Sequence, residues 1–448
     1  MKMFAKLKNK LTNYQIVAIA FISLILIGTA FLSLPIASKE GNTPFIDAFF
    51  TATSALCVTG LITFDTFTHW TTFGQIVILI LIQIGGLGIM TIMTLFSLFV
   101  RRELSLSAKS LFIHSTGSEV GTTKSIIKFI GLGTAIFELL GTAFLSISFC
   151  PKLGVGKGLY FALFHSISAF CNAGFDLMGG YSGQFSSLTA FSNDVIVTVT
   201  LTTLIVIGGL GFLVWSDIIQ KKFNPKKFTL HTKIVLVTSC SLLAVGMLLF
   251  YLFEMNNSLA GKPSGEAFLI CMFHSASTRT AGYAITDMAS LSESTKLLTT
   301  VLMFIGGSPG STAGGIKTTT LVVLLFSVIA NVKRKNNITV GKRKIDNSNA
   351  SQAYAIVTLY LSMAVIASAI LCLDTRFTLG QVVFETVSAL GTVGLTLGIT
   401  PLLAWWGKLV LIFCMFGGRV GMLSLIMIFA NKSKVVPLER PTEKIIIG

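Results

Sequence analysis

The sequence predicts an all-α membrane protein in which one structural unit is used four times. The first observation behind this prediction is composition: 53% of the 448 residues are hydrophobic and only 12% are charged, whereas soluble domains average roughly 25% charged residues. The second is that long apolar runs recur from Asn13 to Asn431. Many of these runs reach the roughly 20 residues that a membrane-crossing helix needs. The chain is therefore expected to cross a lipid bilayer many times.

The basic residues indicate topology rather than a nucleic-acid partner. The net charge of +16 would by itself fit an anionic partner. The lysines and arginines, however, lie in clusters between apolar runs, near residues 2–10, 101–109, 221–227, 333–344 and 432–434. Such clusters are typical of cytoplasmic loops. We therefore expect both termini to be cytoplasmic and no nucleic acid to be bound.

The first apolar run and the cysteines each allow another interpretation. Residues 14–34 follow a basic start, as the core of a cleaved signal peptide does. The run is longer than a typical signal core, and Pro35 ends it like a helix boundary, so we interpret it as a true span. The seven cysteines are scattered without a Cys-x-x-Cys pair. The sequence therefore predicts neither a disulfide framework nor a transition-metal site.

A short motif recurs four times along the chain. It reads FTATSALCVTGL, FHSISAFCNAGF, FHSASTRTAGY and FETVSALGTVGL in residues 50–61, 164–175, 273–283 and 384–395. Each copy begins with Phe and ends in Gly followed by a hydrophobic residue. The glycines are separated by 114, 108 and 112 residues: Gly60, Gly174, Gly282 and Gly394. Near-constant spacing indicates duplication.

An apolar span precedes each motif and another follows it, so the repeated unit is span, loop, span. The preceding spans lie near residues 14–34, 125–149, 232–253 and 353–373. The following spans lie near residues 74–100, 194–219, 296–331 and 406–430, and only the third of these is expected to be broken. We divide the chain into a cytoplasmic N-terminus, four repeats and a cytoplasmic tail: 1–13, 14–102, 124–222, 231–335, 350–432 and 433–448.

The loops are too short to be further spans. Residues 45–57 number about a dozen, fewer than a crossing helix needs. We expect each loop to be a half-helix that enters the membrane from outside and returns as an extended segment. Irregular backbone at membrane depth is tolerated only inside protein or beside water. The four pseudosymmetric loops are therefore expected to surround a central ion pore.

Glycine suits these loops to a monovalent cation. A bare K⁺ or Na⁺ needs oxygen ligands, and backbone carbonyls turned toward an axis supply them without net charge. That orientation requires unusual backbone angles, which glycine adopts readily, and the half-helix C-termini add partial negative charge. The alternative is that the glycines only let helices pack closely. The predicted ion-binding residues are Val58, Thr59, Gly60, Asn172, Ala173, Gly174, Thr280, Ala281, Gly282, Thr392, Val393 and Gly394.

The third repeat departs from the others. Ser277 precedes its glycine by five residues, whereas the corresponding serines precede theirs by six, and Arg279 falls three residues before that glycine. Four further polar residues fall at membrane depth. We expect the histidines among them to be packing residues rather than metal ligands, and Glu385 could neutralise a neighbouring arginine. These residues are His165, His274, Glu138 and Glu385.

The fourfold unit with one glycine per loop resembles the Trk/Ktr/HKT superfamily of potassium transporters over nearly the whole chain, and is most similar to the bacterial Ktr membrane subunit. In that superfamily a serine in place of the first-loop glycine is associated with Na⁺ preference, so Gly60 implies K⁺. The resemblance implies a bacterial cell membrane location and passage down the electrochemical gradient or stimulated by Na⁺. It also implies a homodimer and a cytoplasmic ring of nucleotide-binding regulatory subunits.

A helix-hostile stretch in the third following span is the candidate gate. A nucleotide-binding loop does not fit, because Ile316 separates Gly315 from Lys317 and Gly-x₄-Gly-Lys-Thr is not met; a packing kink is the other interpretation. The resemblance implies an intramembrane loop that hinders ion passage. Arg419 lies in the last span, where a charge is costly and marks a functional candidate. The predicted gate residues are Gly306, Gly307, Ser308, Pro309, Gly310, Ser311, Thr312, Ala313, Gly314, Gly315, Lys317 and Arg419.

Two other classes of protein fit less well. A proton- or Na⁺-coupled secondary transporter of another solute normally carries titratable groups along its path, and few carboxylates lie within these spans. A membrane enzyme needs a nucleophile, a base or a metal set, and the sequence offers no such constellation. We therefore expect a non-enzymatic chain without a cofactor. K⁺ is its expected transported ion, and the resemblance adds Na⁺ as a second.

Overall fold

A computed structural model describes four stretches of the chain: residues 12–88, 123–335, 337–341 and 343–429. Within these stretches the regular structure is helical except for one antiparallel strand pair, β1 (Thr339–Val340) and β2 (Arg343–Lys344). Four predicted segments lie outside the described residues: positions 1–11 of the N-terminus, 89–102 of the first repeat, 430–432 of the fourth repeat, and the tail 433–448.

The described part of the chain contains fifteen α-helices. The first repeat has three and each later repeat has four. In chain order they are α1 (Asn13–Leu32), α2 (Phe45–Cys57), α3 (Thr72–Leu87), α4 (Thr123–Leu153), α5 (Val155–Phe170), α6 (Val195–Leu210), α7 (Phe212–Gln220), α8 (Leu230–Glu254), α9 (Ser264–Ser277), α10 (Glu293–Phe304), α11 (Thr318–Val332), α12 (Asn347–Leu371), α13 (Leu379–Gly391), α14 (Trp405–Val420) and α15 (Met422–Phe429).

Side-chain caps fix where many of these helices begin. Thr12 and Thr378 each form a capping box with a glutamine three residues on, at the starts of α1 and α13. Thr71, Asp194 and Ser292 cap α3, α6 and α10 by accepting a backbone N–H of the first turn. Such caps satisfy donors that have no partner within the helix. In the sequence, the start of each of these helices is therefore marked by one capping residue with a hydroxyl or carboxylate side chain.

The first helix of each repeat is long and apolar enough to cross a membrane. These helices, α1, α4, α8 and α12, meet the length of the hydrocarbon core. The bent pairs α6–α7 and α14–α15 qualify if each is counted as one span, which gives four to six candidate spans among the described residues. Leu139 and Val365 lie on α4 and α12 and expose most of their surface, as side chains that face lipid do. The count of eight spans stays a prediction.

The four short helices α2, α5, α9 and α13 form the centre of the fold. Each carries the phenylalanine that opens the repeated motif, and all four rings are buried: Phe50, Phe164, Phe273 and Phe384. Each short helix also packs against a helix of the repeat before it: α5 against α3, α9 against α6, and α13 against α10. The short helix α2 packs against α14 of the last repeat. The repeats therefore close into a circle.

The helices that follow the loops are not continuous, and this corrects the sequence prediction of unbroken spans near 194–219 and 406–430. The α6–α7 pair bends by 90° at Gly211, and the α14–α15 pair bends by 97° at Gly421. Both glycines have φ above +90°, and Gly88 ends α3 at φ +80°. A residue in that conformation cannot continue a right-handed helix, and glycine adopts it without steric cost.

Candidate functional site

The four short helices end in the same backbone turn. Two residues before each glycine the chain adopts a positive φ, at Val58 (57°), Asn172 (60°), Thr280 (94°) and Thr392 (51°). The glycines that follow have φ values of 91°, 69°, 77° and 98°. Residues other than glycine seldom adopt positive φ. Four copies of this pair of angles therefore mark one turn used four times.

The third turn keeps this geometry although its loop is one residue shorter. In the first and fourth turns the serine hydroxyl accepts the glycine N–H at 3.1 Å, at Ser54 and Ser388. In the second and third turns Ser168 and Ser277 donate instead to the carbonyl just after the glycine, at 2.8 and 2.5 Å. The third turn is one residue shorter before Thr280, but its serine is still hydrogen-bonded to the turn. A serine therefore stabilises each of the four turns.

The four glycines contact one another in sequence and form a closed ring. A methyl group built on Gly60 would lie 3.2 Å from the Cα of Gly174, and one on Gly174 would lie 3.1 Å from that of Gly282. The corresponding distances are 3.1 Å from Gly282 to Gly394 and 3.0 Å from Gly394 back to Gly60. Real Cβ atoms are rarely this close to a neighbour, so only glycine fits at each position.

Carbonyl oxygens lie beside this ring. The atom nearest to each built methyl is the backbone oxygen of the residue that precedes the next glycine. These residues are Ala173, Ala281, Val393 and Thr59, and all four are buried. The structure thus brings all twelve predicted ion-binding residues into the four turns, with one backbone oxygen from each turn at the ring.

An open cavity of about 860 Å³ lies on one side of the ring and is lined by all four glycines. Two carboxylates, Asp176 and Asp287, line it as well. Burial raises the pKa of Asp176 to about 7, and the negative charge of Asp65 adds to this effect, against a backbone hydrogen bond from Met178. The sequence analysis missed Asp176, which lies two residues after Gly174 and directly follows the second copy of the motif.

The candidate gate is an ordered loop between α10 and α11. Its ends are joined by bonds from Gly306 N to Ile316 O (2.8 Å) and from Thr318 N to Gly307 O (3.1 Å). Its interior is bonded to the break in the second repeat. Ser308 N donates to Gly209 O at 3.1 Å, and Phe212 N donates to Gly310 O at 2.9 Å. Backbone bonds of this kind fix the loop against α6 and α7.

The loop lies directly against two of the glycine turns. A methyl built on Gly314 would collide with the Thr392 side chain of the fourth turn. At the second turn, Asn172 Nδ2 donates to Thr312 Oγ1 at 2.8 Å. Both contacts are made by the residue two before the glycine. The loop therefore covers the ring from the side opposite the open cavity.

Arg419 joins this loop to the first repeat. Its guanidinium donates to Thr312 O in the loop, to Gly85 O, and to Gly86 O at 3.3 Å. Lys317, in contrast, donates at 2.7 Å to Ala313 O within the loop itself. Arg419 thus holds together two repeats that are far apart in sequence, whereas Lys317 does not.

Arg419 occupies a position where other repeats have glycine. A methyl built on Gly85, Gly208 or Gly418 would collide with the carbonyl four residues before the ring glycine of its own repeat: Leu56 O, Phe170 O or Leu390 O. These three glycines are therefore equivalent. The next residue is Gly86 in the first repeat, Gly209 in the second and Arg419 in the fourth.

Arg279, Glu385 and Glu138, which the sequence places at membrane depth, are bonded to neutral groups. Arg279 donates to Ser239 O and Oγ at 3.3 and 3.4 Å, and the ion pairs of the described residues do not include it. Within the described part of the chain, Glu385 pairs with no arginine and accepts instead from Thr396 and from Thr400, the latter at 3.0 Å. Glu138 accepts from Gln83 at 3.3 Å.

The two histidines make packing hydrogen bonds. His165 Nδ1 lies 2.7 Å from Phe161 O, and its Nε2 accepts from Leu177 N at 3.3 Å. His274 Nε2 lies 3.1 Å from Thr299 Oγ1. Among the described residues, no group of three or more His, Cys, Asp and Glu side chains is placed to hold a metal ion.

Comparison with known proteins assigns this arrangement to a class. Residues 6–436 match the family TrkH, described as a cation transport protein. The chain therefore belongs to this family of membrane cation transport proteins, which confirms the resemblance seen in the sequence.

Individual relatives match along almost their full length. The potassium/sodium uptake protein NtpJ of Enterococcus hirae is 39% identical over 99% of both chains. The Ktr system potassium uptake protein B of Bacillus subtilis is 37% identical over 94% of both chains. The crystal structure of the potassium transporter TrkH from Vibrio parahaemolyticus superposes with a TM-score of 0.72 at 20% identity, over 93% of this chain and 84% of that one. This last likeness shows the fold.

Proposed function

We propose that this chain is the ion-translocating membrane subunit of a K⁺ uptake system and that K⁺ crosses through the ring of four glycines. The observation that carries the proposal is the closed ring itself, in which each turn contributes the same backbone and one carbonyl oxygen. Such oxygens replace the hydration shell of a monovalent cation. The relatives named as potassium or potassium/sodium uptake proteins support the same ion.

The twelve ring residues act as a selectivity filter whose transported ion is K⁺. Gly60 has φ +91°, and a methyl built there would lie 2.5 Å from Ala173 O. A side chain at this position would push a carbonyl oxygen away from the axis. Glycine in all four turns therefore keeps the oxygens equivalent, as selection for one ion size or coordination number requires.

The loop 306–317 and Arg419 form the gate beneath this filter. The loop lies against the second and fourth turns, and the arginine holds it to the first repeat. A fixed positive charge at this place also raises the barrier for a resident cation. Deleting part of residues 310–315 should raise flux; a fall in flux with normal folding would argue against a gate.

The proposal includes an assembly. The resemblance to the Ktr membrane subunit implies a homodimer that docks a cytoplasmic ring of nucleotide-binding regulatory subunits, and relatives named as components of a Ktr system support a multi-component assembly. The proposal also includes Na⁺ stimulation, which the resemblance implies; one relative is named a potassium/sodium uptake protein, which supports Na⁺ as an ion that this class of protein handles. Both termini would lie in the cytoplasm of a bacterial cell, on the side where the basic loops such as 221–227 are found.

Uptake of ⁸⁶Rb⁺ into liposomes tests the function. The purified chain should admit ⁸⁶Rb⁺, and excess K⁺ should compete with it more strongly than excess Na⁺. The assay is run with and without a Ktr-type regulatory ring, because a closed gate would otherwise conceal a working pathway. Absence of uptake in both preparations, from protein that is folded and correctly inserted, would overturn the proposed function.

A further inference from the structure

Thr312 is the point at which the gate loop is held most tightly. It is fully buried, and its backbone N–H donates to Gly208 O at 3.3 Å. Its hydroxyl donates to Phe170 O at 3.2 Å and accepts from Asn172 Nδ2 at 2.8 Å. Its carbonyl accepts from Arg419. Thr312 thus makes four hydrogen bonds, three with residues of the second repeat and one with Arg419 of the fourth.

The other end of the Asn172 side chain is unpaired. Among the described residues, Asn172 Oδ1 has no hydrogen-bond partner although only 1% of the residue is exposed. Thr280 Oγ1 and Thr392 Oγ1 are likewise buried and unpaired, and these residues hold the same position in the third and fourth turns. Buried oxygens without partners are rare and call for a bound ion or water. In the first turn this position is Val58, which offers no side-chain oxygen.

These oxygens belong to the turn position that contacts the loop in the second and fourth turns. The ring is closed by contacts between successive turns, so residues at the same position in each turn lie at one level. Asn172 touches Thr312, and Thr392 touches Gly314, so this level faces the loop. An ion that has passed the glycines meets the three oxygens before it meets the loop.

We propose that Asn172 couples ion occupancy to closure of the gate loop. A dehydrated monovalent cation, which is K⁺ in the proposed function on which this inference rests, binds the unpaired oxygens of Asn172, Thr280 and Thr392. Coordination at Oδ1 polarises the carboxamide, and the Nδ2 donor then binds Thr312 more strongly, since bonds in a buried chain reinforce one another. A resident ion therefore favours the closed loop.

Substitutions can test the proposed ion contact at Asn172 Oδ1 separately from the hydrogen bond between Asn172 and Thr312. Asn172→Thr reproduces the residue of the third and fourth turns, so it keeps an oxygen at this level but loses the amide donor. Asn172→Val reproduces the first turn and removes both. Thr312→Val removes the hydroxyl that receives the amide, and Thr312→Ser is its matched control because it keeps that hydroxyl.

Hydrogen exchange of the loop peptide 306–317 provides the measurement. The full chain in lipid nanodiscs is compared in K⁺ and in choline, which is too large for the ring. In the natural protein, K⁺ should slow exchange of this peptide roughly threefold to tenfold, the range expected when one hydrogen bond is strengthened. The effect should disappear in Asn172→Thr, Asn172→Val and Thr312→Val, and should persist in Thr312→Ser.

The outcomes distinguish this inference from the proposed function. Equal exchange in K⁺ and choline, in natural protein that still takes up ⁸⁶Rb⁺, overturns the coupling and leaves the transport function standing. Protection by K⁺ that survives in both Asn172→Thr and Thr312→Val also overturns the coupling. Failure of ⁸⁶Rb⁺ uptake in the natural protein overturns the transport function itself.

Discussion

The glycine turns and the helices that follow them obey the fourfold repeat to different degrees. All four turns share one pair of backbone angles and one ring of contacts. The following helix ends at Gly88 in the first repeat and bends at Gly211 and Gly421 in the second and fourth, whereas the third repeat has a loop instead. Coordination of an ion requires equal ligands from every side, but blocking it requires a part on one side only. In the proposed function, symmetry is therefore kept where the ion would be bound and lost where the gate would stop it.

The largest effect should come from breaking the symmetric region. Gly282→Ala places a methyl against Val393 O and Gly394 of the next turn, so ⁸⁶Rb⁺ uptake should fall to background. The matched control is Gly398→Ala, whose φ of +89° imposes a similar strain of about 1–2 kcal/mol but whose methyl meets no atom within 4 Å. Equal loss in the two variants would show that backbone strain, rather than the ring contact, is responsible.

The asymmetric region should respond in the opposite direction. Arg419→Gln removes the charge and cannot span Thr312 O and Gly85 O, so we expect uptake without the regulatory ring to rise about tenfold, the effect of losing about 1.4 kcal/mol of loop stabilisation. Arg419→Lys retains the charge but not the forked donor. Uptake of Arg419→Lys at the natural level would assign the role to charge alone.

A smaller effect should follow from making one turn unlike the others. Gly60→Ser places a side chain beside Ala173 O, so competition by Na⁺ against ⁸⁶Rb⁺ should strengthen severalfold. The measurement is the ratio of the Na⁺ and K⁺ concentrations that halve uptake. An unchanged ratio, in protein that still transports, would contradict the assignment of Gly60 to ion discrimination.

The smallest effect should come from the open cavity. Asp176 has a pKa of about 7 because its partial burial disfavours the charged carboxylate and Asp65 lies near it, so it is ionised above that pH and neutral below it. Its negative charge attracts cations to the ring, and uptake should therefore be about twofold lower one unit below pH 7 than one unit above it. Asp176→Asn should flatten this profile at the lower level. A natural profile in that variant would assign the pH dependence to another group.

The fourfold repeat and its turns could be predicted from the sequence because each copy has the same short motif. The buried phenylalanine, the small residues and the final glycine recur at near-constant spacing, and the family match confirms the resemblance drawn from them. The five-residue spacing at Ser277 was also visible. Its consequence was not, because the serine reaches a carbonyl beyond the glycine and so restores the turn.

The breaks and long-range contacts could not be predicted in the same way. Gly211 and Gly421 lie in apolar runs whose composition is that of a continuous span, and only their backbone angles reveal the bends. The repeated letters Gly-Gly-Leu-Gly in the first two repeats were a usable signal, since their last glycine ends a helix in both. The partners of Arg419 lie more than 100 residues away along the chain, where spacing carries no information.

The contact that closes the circle has a consequence for how the protein is made. Lys408 Nζ and Asp47 Oδ1 lie 2.5 Å apart in a nearly buried ion pair, 361 residues apart in the chain, where α14 meets α2. A ribosome delivers Asp47 to the membrane long before its counter-ion is synthesised. Until the fourth repeat is inserted, the ring lacks one of its four turns. In the proposed function, the newborn chain would therefore gain its ion pathway only after that repeat has entered the membrane.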